Sequence, residues 1–494
     1  MKILIENGNV CSLDLPLKFA QKLYNEFAIR HPNAFYLRTR QRGMQNWDGK
    51  IHYITKTGQF KIGLLPKVYD MCIEMGIKPK VVDMRQPLPK VSKVVTNIGK
   101  YKLRPEQEKA VKAVINNKIG NTPFHIGVLD YTVNAGKTLI MSSLYLSYKK
   151  QLKTLLITND SDWLNQAREE FKQYLPGEDI TFVQGKVLNW SNFTIGMVQS
   201  ISRNMRFYQK ELSQIDMVLI DEADQGGSKQ YQNVITRLFN TRIRIGLSGT
   251  IYMSKLAKDR VKNMNLECFF GKVLAEFKLK DSIKKGYSTK TVVKMVPGKP
   301  WYGNWESDCI SYKEIYDDSI TNCYTAWLMA YNRLLWNLNQ GRYPALVVCK
   351  HIAHCENLYK FFKKKLGDAY NIAYVHVNTP SKLRQQIMKD FREGKIDILV
   401  STTIIARGKN FPKLKYLLNT ASMDSQEKSI QFLGRLVRTD ESKNKVYLDD
   451  LHYPGNYLDR HGKHRKQYYQ RQELKVILLD KLWKKHPNHS LIKS

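Results

Sequence analysis

Between residues 101 and 250 short, almost wholly apolar runs alternate with longer stretches whose apolar residues recur every three or four positions. The runs are "HIGVLDY", "TLLIT", "ITFV", "FTIGMVQ", "MVLID" and "IRIGLSG", each bounded by turn-forming residues. Such runs read as strands buried on both faces, and the stretches between them as covering helices, which together specify a parallel sheet. Around 280–325 the pattern breaks into irregular text, including "GYSTKT" and "VPGKPWYGNWESD". It then resumes with "ALVVC", "IAYVHV", "IDILVST", "YLLNTA" and "KVYLDDL". The expected fold class is therefore α/β, with two tandem parallel-sheet domains. Upstream, "KILIEN", "KIHYIT" and the helical "LPLKFAQKLYNEFAIR" indicate a small α+β N-terminal domain.

These shifts divide the chain into a small domain at 1–92, a first α/β domain at 93–285 and a linker or insertion at 286–325. A second α/β domain follows at 326–460, then a basic tail at 461–494. "MRQPLPKVSKVVTNIGK" (84–100), with two prolines and several lysines, reads as the link into the first α/β domain. The length of 494 residues is that of several domains rather than one core. No apolar run approaches bilayer length, and the acids and polar residues of "MKILIENGNVCSLDL" do not suit a signal peptide, so a cytoplasmic protein is expected. Seven cysteines without a repeated C-x-x-C spacing suit reduced thiols in such a compartment. "CKHIAHC" (Cys349, His351, His354, Cys355) follows a strand and opens a helix, and is read as packing rather than as a metal site.

Charge changes the picture most. Lys and Arg number 80 against 44 acids, a net +36 spread along the chain. Such a field attracts polyanions, nucleic acid foremost. The tail from 461 carries nine Lys or Arg and two acids, with Tyr468, Tyr469 and Trp483 interleaved.

Candidate chemistry begins at "YTVNAGKTL" (131–139). It fits G-x-x-x-x-G-K-[ST] at Gly136, Lys137 and Thr138, while Tyr131 stands where the first glycine belongs. A strand-like run precedes it and the amphipathic-looking "KTLIMSSLYLSYKK" follows. Backbone N–H groups of Asn134, Ala135 and Gly136 at a helix start suit phosphates, Lys137 the terminal ones, and the Thr138 hydroxyl a Mg²⁺ ion carried with ATP. "MVLIDEAD" then ends a buried strand in Asp221 and Glu222. Asp221 suits the metal through water, and Glu222 suits the activation of an attacking water.

In this order the motifs resemble those of superfamily 2 helicases over roughly residues 100–450. "YKLRPEQ" (101–107) is similar to that family's adenine-recognition segment, which implies Arg104 and Gln107 as polar contacts. "TVNAGKT" is similar to its first motif, where the opening glycine is often absent, and "DEAD" (221–224) to its second. "SGT" (Ser248, Gly249, Thr250) resembles the third, and implies a relay between nucleotide and nucleic acid. "STTIIARGKNF" (401–411) resembles the fifth, implying Thr402 on the nucleic-acid side and Gly408 and Asn410 near the nucleotide, with Asn410 in place of the usual Asp. "QFLGRLVR" (431–438) matches Q-x-x-G-R-x-x-R, placing Gln431, Arg435 and Arg438 on a helix of the second domain. The resemblance implies two RecA-like domains, ATP and Mg²⁺ as cofactors, and hydrolysis coupled to movement along nucleic acid. Gln431 stands where RNA-unwinding DEAD-box proteins carry His, and "ITNDSDWLNQ" lacks their "PTREL" text.

"NWDGKIHYI" (46–54), "GLLPKVYDMCIEMG" and "FFGKVLAEFKLKDSIKKG" (269–286) resemble phage recombination helicases of the UvsW type. That branch implies remodelling of duplex or branched DNA in replication, recombination or repair, in a host cytoplasm, beside other replication or recombination proteins. "YLRTRQRGMQNW" mixes basic and aromatic residues, and Arg38, Arg40, Arg42 and Trp47 are the candidate DNA contacts there. The alternatives are an RNA helicase and a DNA-binding protein with an ATP switch. A nuclease is disfavoured, since no further acidic cluster suits metal-dependent cutting.

Overall fold

The structure, a computed structural model, describes residues 1–40, 43–148, 151–185, 187–251, 259–298, 311–403, 411–424 and 426–479. The chain forms two compact units, Met1–Phe277 and Lys278–Ser494.

The first unit is built on an eight-stranded sheet. In spatial order its strands are Val187–Leu188, Ile180–Gln184, Phe193–Met197, Thr154–Thr158, Met217–Asp221, Ile243–Ser248, His125–Tyr131 and Val273–Phe277. All neighbours run parallel except the short outermost strand at 187–188. Every residue of His125–Tyr131 and Met217–Asp221 is buried, as continuous apolar runs in a parallel sheet require. Helices from 105–115, 137–147 and 161–174 supply the cover.

The N-terminal segment has its own four-stranded sheet, ordered Phe60–Lys61, Val10–Asp14, Lys2–Ile5, Lys80–Asp83. It is not a separable domain. Ile3, Ile5, Leu23 and Val68 belong to the same buried apolar cluster as Ile126, Val128, Leu155 and Phe270. A Cβ on Gly63 would lie 2.1 Å from the Glu267 carbonyl oxygen, so the two backbones are in contact. Arg244, fully buried on the strand Ile243–Ser248, donates to the Gly8 carbonyl (2.6 Å), Asn9 Oδ1 (2.8 Å) and the Phe269 carbonyl (3.2 Å). The stretch read as a link is likewise docked. Ser143 Oγ donates to the Val95 carbonyl, and Val95 N–H to Ser147 Oγ, so the part of this stretch around Val95 is strapped to the helix Lys137–Ser147. That helix is buried nearly all round rather than amphipathic, because Ser143 and Ser147 face this strap instead of water.

The second unit carries a seven-stranded, all-parallel sheet ordered Ile372–Val375, Ile398–Thr402, Ala345–Cys349, Tyr416–Asn419, Lys445–His452, Lys290–Pro297, Val476–Leu478. With the first sheet it gives the two RecA-like layers expected. Two expected boundaries change. Lys290–Pro297, read as linker, pairs along its whole length with Lys445–His452. The residues after 461 are not a tail as far as 479. They continue the helix Asn456–Arg471 and then form an edge strand on Val293–Met295. Arg465 is fully buried with its Nε on Asp450, and Tyr469 OH donates to the same carboxylate at 2.7 Å. The basic residue and the aromatic that suggested a nucleic-acid tail thus satisfy a buried Asp.

Candidate nucleotide and nucleic-acid sites

The strand His125–Tyr131 delivers the chain into a turn that opens the helix Lys137–Ser147. Asn134 (φ 65°) and Gly136 (φ 71°) both take left-handed backbone, which curls the intervening N–H groups toward one side. Glycine suits 136 on two counts: its φ, and a Cβ there would stand 2.3 Å from Gln107 Nε2 and push that side chain off the loop. Gln107 Nε2 donates to the Ala135 carbonyl (2.8 Å), while its Oε1 accepts from Arg104 N–H (2.8 Å). The side chain expected at the adenine therefore braces the loop from behind, being 1% exposed. Tyr131, in place of the missing glycine, is fully buried and donates its OH to the Glu106 carbonyl at 2.7 Å. Two side chains thus tie the helix Pro105–Ile115 to the loop, one at each end. Lys137 Nζ reaches the Tyr131 carbonyl at 3.4 Å.

Asp221 ends its strand buried, and Glu222 turns the chain away at φ 52°. A non-glycine residue in that region costs about 1–2 kcal/mol. Burial raises the Asp221 carboxyl above its usual range, against the opposing pull of the Lys137 ammonium. Glu222 is pushed up to about 8 by burial first, then by the charges of Asp221, Asp224 and Asp160. Such carboxyls suit a cation delivered beside them, since positive charge favours their ionised form. Among the described residues no group of three or more His, Cys, Asp or Glu is arranged to hold a metal ion. Thr138 at the helix start and Asp221 at the strand end are the oxygen donors that a hard cation would use here.

The third motif is joined to the second. Ser248 Oγ donates to Asp224 Oδ1 at 2.6 Å, lies 3.0 Å from Thr250 Oγ1, and accepts from Thr250 N–H. At Gly249 a Cβ would meet Thr132 Cα and the Tyr131 carbonyl oxygen, both at 3.1 Å, so this turn presses on the end of the phosphate-loop strand. Tyr231, which no sequence motif marks, is buried near Asp221, Glu222 and Asp224, whose charges add to burial in raising its phenol.

In the second unit Thr402 ends its strand buried. Gln431 and Arg435 lie on the helix Gln426–Leu436, but Arg438 lies beyond it. At and just past the end of this helix the backbone carbonyls are met by other donors. The buried Lys443 ammonium donates to the Leu436 (3.0 Å) and Leu414 (2.7 Å) carbonyls, Thr289 N–H to Val437, and Thr289 Oγ1 to Arg438. Gly408, Asn410 and Arg42 lie outside the described residues. Cys355 Sγ donates to the Val400 carbonyl, His354 shares a hydrogen bond with the Tyr316 hydroxyl (3.1 Å), and Cys349 is buried in its strand.

On the N-terminal segment Arg38 and Arg40 close the exposed helix Ala34–Arg40, with Arg40 4.8 Å over the Tyr36 ring. Trp47 donates its indole N–H to the Lys50 carbonyl. The bare ring is Phe35, 80% exposed, beside a cavity of about 470 Å³ also lined by Arg30, Arg38 and Lys50.

A buried strand, a phosphate loop braced by Tyr131 and Gln107, and a strand-end acid pair define a P-loop ATPase unit, followed here by a second RecA-like unit. Residues 100–253 match the family model "Type III restriction enzyme, res subunit", and 328–440 match "Helicase conserved C-terminal domain". The two matches together cover more than half of the chain and bear out its resemblance to the superfamily 2 helicases. It is 22% identical over 385 residues to putative helicase 22 of a Sulfolobus islandicus filamentous virus, covering 72% of this chain and 64% of that one. The chain spans 64% and 51% of the length of two curated relatives it matches. Among solved structures, the ATP-dependent Type ISP restriction-modification enzyme LlaBIII bound to DNA aligns with a TM-score of 0.57 at 14% identity, over 81% of this chain and 33% of that one. T4 UvsW aligns over 97% of this chain and 99% of its own, at 19% identity and a TM-score of 0.44. Among the described residues no helix is long and apolar enough to cross a membrane.

Proposed function

We propose that the protein is an ATP-dependent DNA translocase or helicase that remodels duplex or branched DNA. The observation that carries the motor reading is the joined set in the first unit: Lys137 on the braced loop, the Asp221–Glu222 pair, and Ser248 bonded to Asp224. Bound Mg²⁺–ATP supplies the phosphoanhydride whose cleavage drives movement. Lys137 and the loop N–H groups would hold its phosphates, and Thr138 and Asp221 would hold the cation. Glu222 takes the proton of the attacking water. Ser248 and Thr250 would pass the state of that carboxylate pair to nucleic acid, and Thr402 is assigned to the nucleic-acid side of the second unit. Arg435 and Arg438 are assigned to the charge that develops on the departing γ-phosphate, with Gln431 beside them.

DNA is favoured by the net charge, by Gln431 in place of the DEAD-box His, and by the phage-type stretches at 46–54 and 269–286. ATP turnover measured with single-stranded, duplex and forked DNA and with RNA tests the assignment. Forked or duplex DNA is expected to stimulate most, and stronger stimulation by RNA would replace DNA with RNA. Lys137→Ala should abolish turnover on every substrate while leaving the circular dichroism spectrum unchanged. Near-normal hydrolysis in that variant would remove the motor reading altogether.

A further inference from the structure

Away from every motif, the second unit carries a concentration of cations around two aromatic rings. Its origin is the pleat. Lys290, Val292 and Lys294 lie in register with Lys445, Tyr447 and Asp449 of the neighbouring parallel strand. Side chains two apart share a face, so three lysines, one tyrosine and one acid stand together there. The helix Tyr324–Leu338 adds Arg333 and Trp336 to this group, and the connection after it adds Arg342.

Around Trp336, Lys294 Nζ stands 4.8 Å from the ring centroid, Arg333 Cζ 5.0 Å and Arg342 Cζ 4.8 Å. Arg342 also lies 3.6 Å over Tyr447, and Lys445 5.6 Å from the same ring. The one acid, Asp449, is buried and already taken by Arg333, Asn337 and Tyr416. Among the described residues Lys290, Lys294, Arg342 and Lys445 make no ion pair, so a charge of four is left uncompensated at one place. Burial works against protonation of Lys294, the charge of Asp449 works for it, and the crowding of Arg333, Arg342 and Lys445 works against it.

Arg342 shows the most organisation. Its guanidinium lies near two aromatic rings and donates one N–H to Asn337 Oδ1 at 2.9 Å. A planar fork held in this way presents its remaining donors in a fixed direction, which suits an oxyanion. The ring of Trp336 is occupied by cations, so it holds charge in place rather than offering a stacking surface to a base. Position separates this patch from the motif-bearing edge. Lys290 and Lys445 begin their strands, and Arg342 precedes the strand Ala345–Cys349, whereas Thr402 ends its strand. In a parallel sheet these are opposite edges.

We propose that the Lys290–Lys294–Arg342–Lys445 patch is a second phosphodiester-backbone site, holding a duplex arm that is not the strand engaged at the motif edge. The proposal rests on the nucleic-acid motor reading above. Sequence-independent charge recognition fits it, because four unpaired cations and no exposed ring suit a phosphate ladder rather than base edges.

The test uses the full chain with the exposed pair changed, Lys290→Gln with Lys445→Gln, beside Lys290→Arg with Lys445→Arg as the charge-keeping control. Affinity for a forked DNA and for a short single strand is measured by fluorescence anisotropy at several salt concentrations. With two phosphates no longer neutralised, the slope of log K against log salt for the fork should flatten by about 1.8, at roughly 0.9 per phosphate. The single strand, the basal ATPase and the Arg control should be unchanged. An unaltered slope on the fork, with wild-type ATPase still stimulated by DNA, overturns the patch and leaves the motor reading standing. No stimulation of the wild type by any nucleic acid removes the motor reading itself. If a poly-glutamate peptide competes away the Gln-sensitive binding and itself binds more tightly than the fork, the patch belongs to an acidic protein and the proposal fails.

Discussion

A carboxyl group with other acids around it and little water holds its proton longer than one in solution. Glu222 is in that position, pushed up to about 8 by burial and by Asp221, Asp224 and Asp160, whereas an unfolded chain would titrate it near 4.5. Between those values the folded protein binds a proton that the unfolded chain does not. Stability without nucleotide therefore falls as pH rises through that window, and Asp221, also raised, acts in the same direction. Glu222→Gln carries no proton to lose. Its melting temperature, followed by differential scanning fluorimetry without nucleotide, should fall less between about pH 5.5 and about pH 8.5, which covers the upper part of that window, than that of the wild type. Parallel pH profiles for the two would mean that Glu222 is solvated and ordinary. The same variant should bind ATP and hydrolyse it very slowly.

At the scale of elements, the helix carrying Gln431 and Arg435 depends on a lysine outside every motif. Lys443 is buried, its ammonium lowered to about 8 by burial, and it serves the carbonyls of Leu436 and Leu414. Lys443→Met keeps the stem but takes the donor from both carbonyls. It should cost about 1–3 kcal/mol in chemical denaturation, and slow ATP hydrolysis by misplacing Arg435. Unchanged denaturation with unchanged turnover would show the cap to be dispensable. No sequence pattern marks Lys443, because a lysine in a turn after a helix reads as solvated. The central strands were legible for the opposite reason. Runs such as "HIGVLDY" and "MVLID" are buried on both faces, and their composition says so directly. Lys290–Pro297 was not, since it lies next to the sheet edge with Lys290 exposed and Lys294 half-buried, which reads as irregular text. Tyr131 was legible only as an exception to the glycine pattern. Its bond to the Glu106 carbonyl joins segments 25 residues apart, which local spacing does not reveal.

For the molecule as a whole, the consequence concerns the N-terminal 92 residues, whose composition and position suggested a detachable DNA-contacting domain. Arg244 decides against detachment. It lies on the strand Ile243–Ser248, which ends in the third motif, and its guanidinium is fully buried with Gly8 and Asn9 as two of its three partners. Removing residues 1–92 would leave one hydrogen bond to a buried cation, and losing partners at a buried charge costs about 3–5 kcal/mol. The same deletion would uncover the side of the core packed on Ile3, Ile5, Leu23 and Val68. Against a domain stability of about 5–15 kcal/mol the two losses together are decisive. The truncated chain should be insoluble or melt without a cooperative transition, so its failure to select forks would say nothing about selection. A soluble 93–494 fragment with wild-type basal ATPase would overturn this account. Fork choice is instead testable in the full chain through Arg38→Gln with Arg40→Gln, both exposed on the helix Ala34–Arg40. That variant should keep its melting temperature and basal ATPase while losing preference for forked over linear duplex. An unchanged preference would place junction choice in the motor.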